Sequence, residues 1–458
     1  MHPLLLGVLD DIEAREMRLL SWGVVDSALS ASEVSALVEP HLGRALDAGD
    51  FTFGSEDEVV AALRQHGLLH ETQDGRFRSR LAEGTRLLQR LRQVFPSAGK
   101  PARGDWEGAP TLVADFRIAR RPRRYPRRDQ PAERLAQAIA KAAAPADVLH
   151  AVQTLTSRAD APLRLAGFQV RATLRLLDGL RRAASSATVV CAGTGSGKTI
   201  AFYLPVLSFV AGLVRREAPE PWVKAVALYP RNELLKDQFA EVYAQARRLD
   251  ALQAQRQARK LRIGAYFGPA PRDAQPHSLE RAKWKRSGSA YLCDYIRCPN
   301  ECDAPLRWED SDRKAGRERL HCPACSAVVR EDEIVLTRER AEREPPDVLF
   351  TTTETLNRRL SDSRSRHLFG IGFRAGQLPR AVLLDEAHTY AGTHGAQVAY
   401  LLRRWRALLT APLTWVGLSA TLREAARFFA DLTGLPPGEV AEVSPLPDEF
   451  EEEGAEYT

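Results

Sequence analysis

Three groups of residues in this chain have the types and spacing to do chemistry. The first is Gly193-Thr194-Gly195-Ser196-Gly197-Lys198-Thr199, which follows Ala192. Alternating glycines let the backbone turn its amides toward bound oxygens, and a helix opening at this point adds the positive end of its dipole. The Lys198 ammonium would then reach the terminal phosphates of a nucleotide, and the Thr199 hydroxyl would ligate Mg²⁺. The second group, Asp385-Glu386-Ala387-His388, ends the apolar run Ala381–Leu384. Asp385 suits the water shell of that cation, Glu386 suits polarising an attacking water, and His388 is placed to pass contact to a second site. The third is a pair of short-spaced cysteine pairs, Cys298 with Cys302 and Cys322 with Cys325. Such pairs can close a tetrahedral thiolate site for Zn²⁺, with Cys293 and His321 as spare ligands. Four thiolates leave no open coordination position, so this metal is expected to fold its segment and not to react.

Positioning these groups needs strands that end where the motifs begin. Apolar, β-branched runs stand at Thr188–Cys191, Val223–Tyr229, Ile263–Phe267, Val348–Thr351, Ala381–Leu384 and Trp415–Leu418. Helical patterns separate them, beginning with Ile200 to Val210 after the glycine-rich turn. Near-continuous apolar strands alternating with helices predict an α/β fold, a parallel sheet covered by helices on both faces. Ligands of such sheets lie at the carboxyl ends of the strands, where each motif falls. The cysteine pairs sit in an insertion after the strand ending near Gly268, expected over residues 290–333 as a zinc ribbon. Lys283, Lys285, Arg297, Arg313 and Arg317 in and beside it could touch a duplex, whereas Cys191 reads as core.

The 458 residues carry 44% hydrophobic and 27% charged side chains and a net charge of +6, which excludes a disordered chain and allows a polyanionic partner. Met1 to Leu9 lacks the basic leader of a secretory signal, and no apolar run reaches the length of a membrane span, so a cytoplasmic, membrane-free protein is expected. Residues 1–100 read as helical around a hairpin. Ser55 and Glu58 suggest a capping box, Gln73-Asp74-Gly75 a hairpin turn, and Leu81 to Phe95 a second helix. That order predicts an α+β, winged-helix-like module. Residues 101–145 form a connector with Arg117, Arg120, Arg121, Arg123, Arg124, Arg127 and Arg128 around Tyr125, followed by an Ala-rich helix from Ala132 to Ala144. Those arginines suit either a phosphate backbone, with Tyr125 as a stacking face, or pairing with acidic residues. Residues 146–440 make the main α/β domain, and 441–458 an acidic end.

The order of these motifs resembles the first motor domain of a superfamily 2 DEAD/DEAH-box helicase or translocase over roughly residues 160 to 435. Ala192 to Thr199 is similar to that family's first motif, Asp385-Glu386-Ala387-His388 reads as its DEAH box, and Ser419-Ala420-Thr421 is similar to its third motif. Tyr229-Pro230-Arg231-Asn232-Glu233-Leu234 resembles one strand-binding segment, and Thr351-Thr352-Thr353-Glu354 resembles the next, with Thr353 where the family often has Pro. Phe168-Gln169 resembles the glutamine motif that reads the adenine edge. The resemblance implies a RecA-like lobe that binds ATP and Mg²⁺ through Gln169, residues 193–199 and Asp385. It also implies nucleic-acid contacts, with DNA expected, from Pro230, Arg231, Thr352, Thr353 and Glu354. Ser419, Ala420 and Thr421 would couple hydrolysis to a second lobe.

In that family a second RecA-like lobe supplies arginines to the γ-phosphate. It is expected in cis beyond residue 458 or in trans, and this part alone should hydrolyse ATP weakly. The combination of amino-terminal module, arginine-rich strap and zinc insertion resembles large bacterial helicases of phage-defence and DNA-modification operons, of the DpdJ type, and MrfA-like repair helicases. Partners from a defence operon follow from that resemblance. The competing reading is an ATP-gated DNA-binding or assembly subunit without productive hydrolysis. A small-molecule P-loop kinase would leave the ordered strand-binding segments unexplained.

Overall fold

The computed structural model describes residues 2–91, 111, 119–157, 163–214, 221–300, 302, 304–372, 378–420 and 422–457. The chain divides into two units, Met1–Arg124 with Glu452–Thr458, and Tyr125–Glu451. The division falls inside the stretch read as a connector, and it takes the last residues of the acidic end into the first unit. Phe95 and Arg117 lie outside the described residues.

In the first unit, helices Pro3–Leu20, Ala31–Asp47 and Glu56–Gln65 precede an antiparallel hairpin, Leu69–Glu71 with Phe77–Ser79, and a last helix Arg80–Arg90. Leu29 bridges Phe77 and adds a third short strand to the hairpin. Helix, strand, helix, helix, hairpin is the element order of a winged helix. Val8, Ile12, Val38, Val59 and Leu63 pack its core at helical spacing. The Ser55 cap is half of the expected box. Its hydroxyl accepts from Glu58 N, but Glu58 Oε2 takes the Gly54 amide at 2.7 Å, one residue too early. The reciprocal box is at Ser30 and Glu33. Two connector arginines of this unit pair with acids, Arg120 with Asp10 at 3.0 Å and Arg124 with Glu452 at 2.8 Å.

The second unit is built on eight strands: β1 Ser186–Cys191, β2 Ala225–Tyr229, β3 Ile263–Tyr266, β4 Ile334–Val335, β5 Val348–Thr352, β6 Ala381–Leu384, β7 Thr414–Ser419 and β8 Val440–Val443. Their order across the sheet is β4-β3-β5-β2-β6-β7-β1-β8, and every pairing is parallel. Every residue of β1, β2, β6 and β7 is buried, which is why these runs are apolar without alternation. Val190, Ala225 and Leu383 face the side covered by helices α1 Gly167–Arg181, α2 Lys198–Leu213 and α3 Asn232–Arg248. Val189, Val226 and Leu384 face the side covered by α5 Gly392–Leu408 and α6 Ala425–Thr433, while α4 Thr353–Arg359 follows β5 directly. Gly417 admits the Phe429 ring of α6, which would stand 2.7 Å from any Cβ placed there. The Ala-rich helix runs Ala132–Lys141 and closes before Pro145.

At the amino ends of β2, β3 and β5, fully buried Asp347 accepts from Lys224 Nζ at 2.7 Å, from both Arg259 Nη atoms at 2.6 and 2.8 Å, and from Arg262 N at 2.9 Å. Burial alone would raise this carboxyl, but Lys224 and Arg259 override it and hold it well below the usual carboxylate range. The insertion is a five-stranded antiparallel sheet from Arg286–Ser287 to Val328–Val329, packed around Tyr291, Leu306 and Trp308. Arg313, read as a surface cation, is buried there on Asp310 and Ala274 O. The acidic end is likewise built in: Glu449 pairs with Arg171 of α1. No helix among the described residues is long and apolar enough to cross a membrane.

Candidate nucleotide site and metal centre

β1 delivers the glycine-rich turn to the carboxyl edge of the sheet, and α2 begins at Lys198. Gly195 and Gly197 have φ of +78° and +82°, a region a side chain makes costly. A Cβ on Gly197 would stand 2.6 Å from Gln169 Nε2, whereas one on Gly193 would meet nothing within 4 Å. The first amides of α2 have no acceptor earlier in the helix and point into this turn. The Ser196 hydroxyl is buried without a hydrogen-bond partner, an orphan polar atom inside the cradle. These are the features a polyphosphate requires, and they fit ATP.

β6 ends two strands away, with β7 between, about 10 Å from β1 at the usual strand spacing. Register sets Leu384 opposite Gly417 and Gly417 opposite Val189, so Asp385 follows level with Val190, next to the end of β1. Burial raises the Asp385 carboxyl to about 6, with Glu386 adding to the rise while the Glu386 amide and the Lys198 ammonium oppose it. Lys198 is lowered by its own burial, against which Glu386 and Asp385 pull it upward. Lys198 and Asp385 thus each feel the other's charge across the edge of the sheet. Thr199 and Asp385 are the residues that would hold Mg²⁺.

Glu386 itself is left-handed, φ 45° and ψ 49°, a strained conformation for a residue with a Cβ. The turn brings His388 Nδ1 to 3.3 Å from Glu386 Oε2 and 3.3 Å from Ser419 Oγ. Ala192 N donates to Ser419 O at 3.1 Å. The phosphate turn, the acidic turn and the third motif are therefore one bonded assembly. Thr421 lies outside the described residues.

Gln169 is the residue whose position departs from expectation. It is buried, and its Oε1 accepts from Ala166 N at 2.9 Å while Nε2 donates to Ser196 O at 3.3 Å and Gly197 O at 2.9 Å. Both amide hydrogens are spent on the phosphate turn, leaving none for a base edge. Two other neighbours of the turn escaped the sequence reading. Arg128 Nη2 approaches Gly195 O at 3.5 Å, and the Tyr125 ring lies 3.5 Å from where a Gly195 Cβ would be. Both had been grouped with the arginine-rich strap, and nothing local ties that strap to a turn some 70 residues later.

Pro230 and Arg231 follow β2, with Arg231 exposed, and Thr352 ends β5 as the cap of α4, accepting from Thr355 N at 3.2 Å. Thr353 is buried and Glu354 pairs with Arg358 at 2.5 Å, so neither presents a free side chain to a strand. In the insertion, the four sulfurs of Cys298, Cys302, Cys322 and Cys325 lie within 4.8 Å of one another. Pairs at 3.3, 3.4 and 3.7 Å approach the ~3.8 Å edge of a tetrahedron with Zn–S near 2.3 Å. Asn300 N and Ala324 N each point at a sulfur at 3.4 Å. His321 is bonded to Asp312 at 2.7 Å, and Cys293 is buried outside the cluster, so neither spare ligand belongs to it.

A parallel sheet with a glycine-rich phosphate turn, a DEAH strand end and a Ser-Ala bonded between them defines a RecA-like nucleotide-binding lobe. The DEAD/DEAH box helicase family model matches residues 168–280 and stops before the insertion. Over those residues the lobe is similar to that family. Among curated relatives, Druantia protein DruE of Escherichia coli is 28% identical over 294 residues, covering 55% of this chain and 16% of that protein. The Lhr helicase/probable uracil glycosylase of Mycolicibacterium smegmatis is 37% identical over 123 residues, 26% of this chain and 8% of that one. The chain thus spans less than a fifth of the length of these relatives. Among solved structures, the helicase MrfA bound to DNA and AMPPNP is 17% identical, covering 74% of this chain and 33% of its own, with a TM-score of 0.42. Mss116p bound to ssRNA and AMP-PNP gives 12%, 69%, 46% and 0.40.

Proposed function

We propose that this chain is the ATP-binding part of an ATP-driven nucleic-acid helicase or translocase that works on DNA in phage defence or DNA repair in the cytoplasm. The observation that carries the reading is the assembly at one edge of the sheet in which Ser419 bonds both Ala192, at the start of the phosphate turn, and His388 of the acidic turn. In it, the turn amides and Lys198 would hold the β- and γ-phosphates, and Thr199 and Asp385 would hold Mg²⁺, which would supply neutralisation of the phosphate charge. Glu386 orients the attacking water and accepts its proton. His388 and Ser419 sense that turn and pass its state to a second lobe, supplied in cis or in trans, whose arginines complete the site. Arg231 and the α4 amino end grip one strand by its backbone, which gives affinity without reading sequence. The four cysteines would hold a structural Zn²⁺, which would keep the ribbon folded.

The test is ATP turnover by the complete protein with and without DNA. Stimulation by DNA that disappears in Lys198→Ala and Glu386→Gln is expected. Equal turnover with and without DNA would reject a motor and leave an ATP-gated binding subunit.

A further inference from the structure

Away from the nucleotide site, a cavity of about 320 Å³ opens at the carboxyl end of β3. Tyr266 forms part of its lining, and Arg272, Arg281, Arg338 and Arg359 surround it. These four come from separate segments: the loop after β3, the helix Pro276–Arg281, the helix Arg338–Arg343 and the end of α4. Backbone bonds lock two of the segments together, Arg338 N to Pro271 O and Glu339 N to Arg272 O, both at 2.9 Å.

Several arginines of this unit are spent on carboxylates, as in Arg340 with Glu318 and Arg262 with Glu344. Arg272, Arg281 and Arg338 make no such ion pair among the described residues, and Arg338 Nε is buried without an acceptor. Arg359 donates to Asp362 at 2.7 Å and lies over the Tyr266 ring. Glu339 and Glu342 share the wall and temper its charge. Glu342, however, is engaged by the Tyr266 hydroxyl at 2.5 Å, and neither acid reaches ion-pair distance of the three arginines. Three guanidiniums turned on one small cavity with donors unspent form a fork for a planar or tetrahedral oxyanion.

The location narrows the anion. β3 lies beside β5 in the sheet, and α4 runs from Thr353, next to the strand-gripping segment, to Arg359 on the cavity wall, about 10 Å along its axis. We propose that the cavity takes a backbone phosphate of the nucleic-acid strand, one step beyond the grip at Arg231 and Thr352. Arg338 supplies the inner donor, and Arg272 and Arg281 the rim. This rests on the strand-binding reading above, so the test carries an arm that does not.

The first arm measures binding of a fluorescein-labelled 12-nucleotide oligo(dT) to the full chain over a series of salt concentrations. Arg338→Gln and the exposed-rim variant Arg281→Gln are each expected to weaken binding about 5- to 20-fold and to flatten the log–log salt dependence by about 0.7. ATP affinity should stay within about twofold of the parent protein. The second arm follows thermal stabilisation by inorganic pyrophosphate in a Lys198→Ala background, which silences the phosphate turn. Stabilisation that Arg338→Gln and Arg281→Gln both abolish is expected. Oligonucleotide binding unchanged in both variants overturns the proposal, even if pyrophosphate still binds, because the anion would then be a free phosphate. If the parent chain binds no oligonucleotide, the strand reading itself has failed. Absent stabilisation by pyrophosphate in the second arm removes the anion cavity as well.

Discussion

Gln169→Ala removes a side chain whose amide bonds are all internal. The Ala166 amide, fully buried, loses its acceptor, and the Ser196 and Gly197 carbonyls lose their shared donor. A buried amide left unpaired costs about 1–3 kcal/mol, and the two loosened carbonyls add to it, so the lobe should lose about 2–4 kcal/mol of stability. Gly197, held at φ +82°, would no longer be pinned, and the cradle would pay an ordering cost on binding nucleotide. A cost of about 1.4 kcal/mol is roughly tenfold in affinity. Competition of a fluorescent ATP analogue by ATP and by GTP, at a temperature where the variant is folded, measures it. Both unlabelled nucleotides should weaken together, leaving their ratio unchanged, because neither amide hydrogen is available to a base. If Gln169→Ala instead erased the preference for ATP over GTP while the melting curve stayed put, the glutamine would be reading adenine. The internal bonding would then be irrelevant to its role.

Three further outcomes follow from the structure. Asp347→Ala leaves the Lys224 ammonium, 2% exposed, and Arg259 without their counter-charge, and should cost roughly 3–5 kcal/mol in urea unfolding of the second unit. Glu13 is raised from 4.5 to about 7 by burial first, with Glu16 and Asp10 adding to the rise. Its stabilising contribution is therefore complete below about pH 4.5 and is lost as pH rises through 7, a difference of ~2 kcal/mol after screening. Glu13→Gln should accordingly raise the melting temperature of the first unit at pH 8 and leave it unchanged at pH 4.5. Metal analysis should find one zinc per chain. Its chelation, or Cys322→Ser, should expose the insertion to protease between its cysteine pairs while β1 to β8 stay protected from hydrogen exchange.

The parts of this fold that were legible in the sequence are those whose chemistry is local. The phosphate turn, the acidic strand end and the cysteine pairs each need fixed residues a few positions apart, and the six central strands are buried on both faces and so read as unbroken apolar runs. Edge strands lack that signature. Ile334–Val335 is two residues long, and Val440–Val443 is buried only at its ends, with Ala441 and Glu442 more open. Ser55 and Glu58 had the right spacing for a capping box, yet spacing cannot tell which backbone amide the glutamate takes. His321 was a chemically sound zinc ligand until Asp312, nine residues earlier, was seen to hold it. Gln169, Arg128 and Glu449 act through partners 27 to more than 270 residues away, where no periodicity carries information. The same limit hid the cavity at Arg338, whose four arginines look like ordinary solvated charge in the chain.

The central claim is that one triphosphate is clamped between the turn before Lys198 and the acids at Asp385 and Glu386. A crystal structure of the chain with a non-hydrolysable ATP analogue and Mg²⁺ tests it most directly. The β- and γ-phosphates should lie on the amides of residues 195–199, with the cation between Thr199 and Asp385. Phosphates bound elsewhere, or a cation that ignores Asp385, would contradict it.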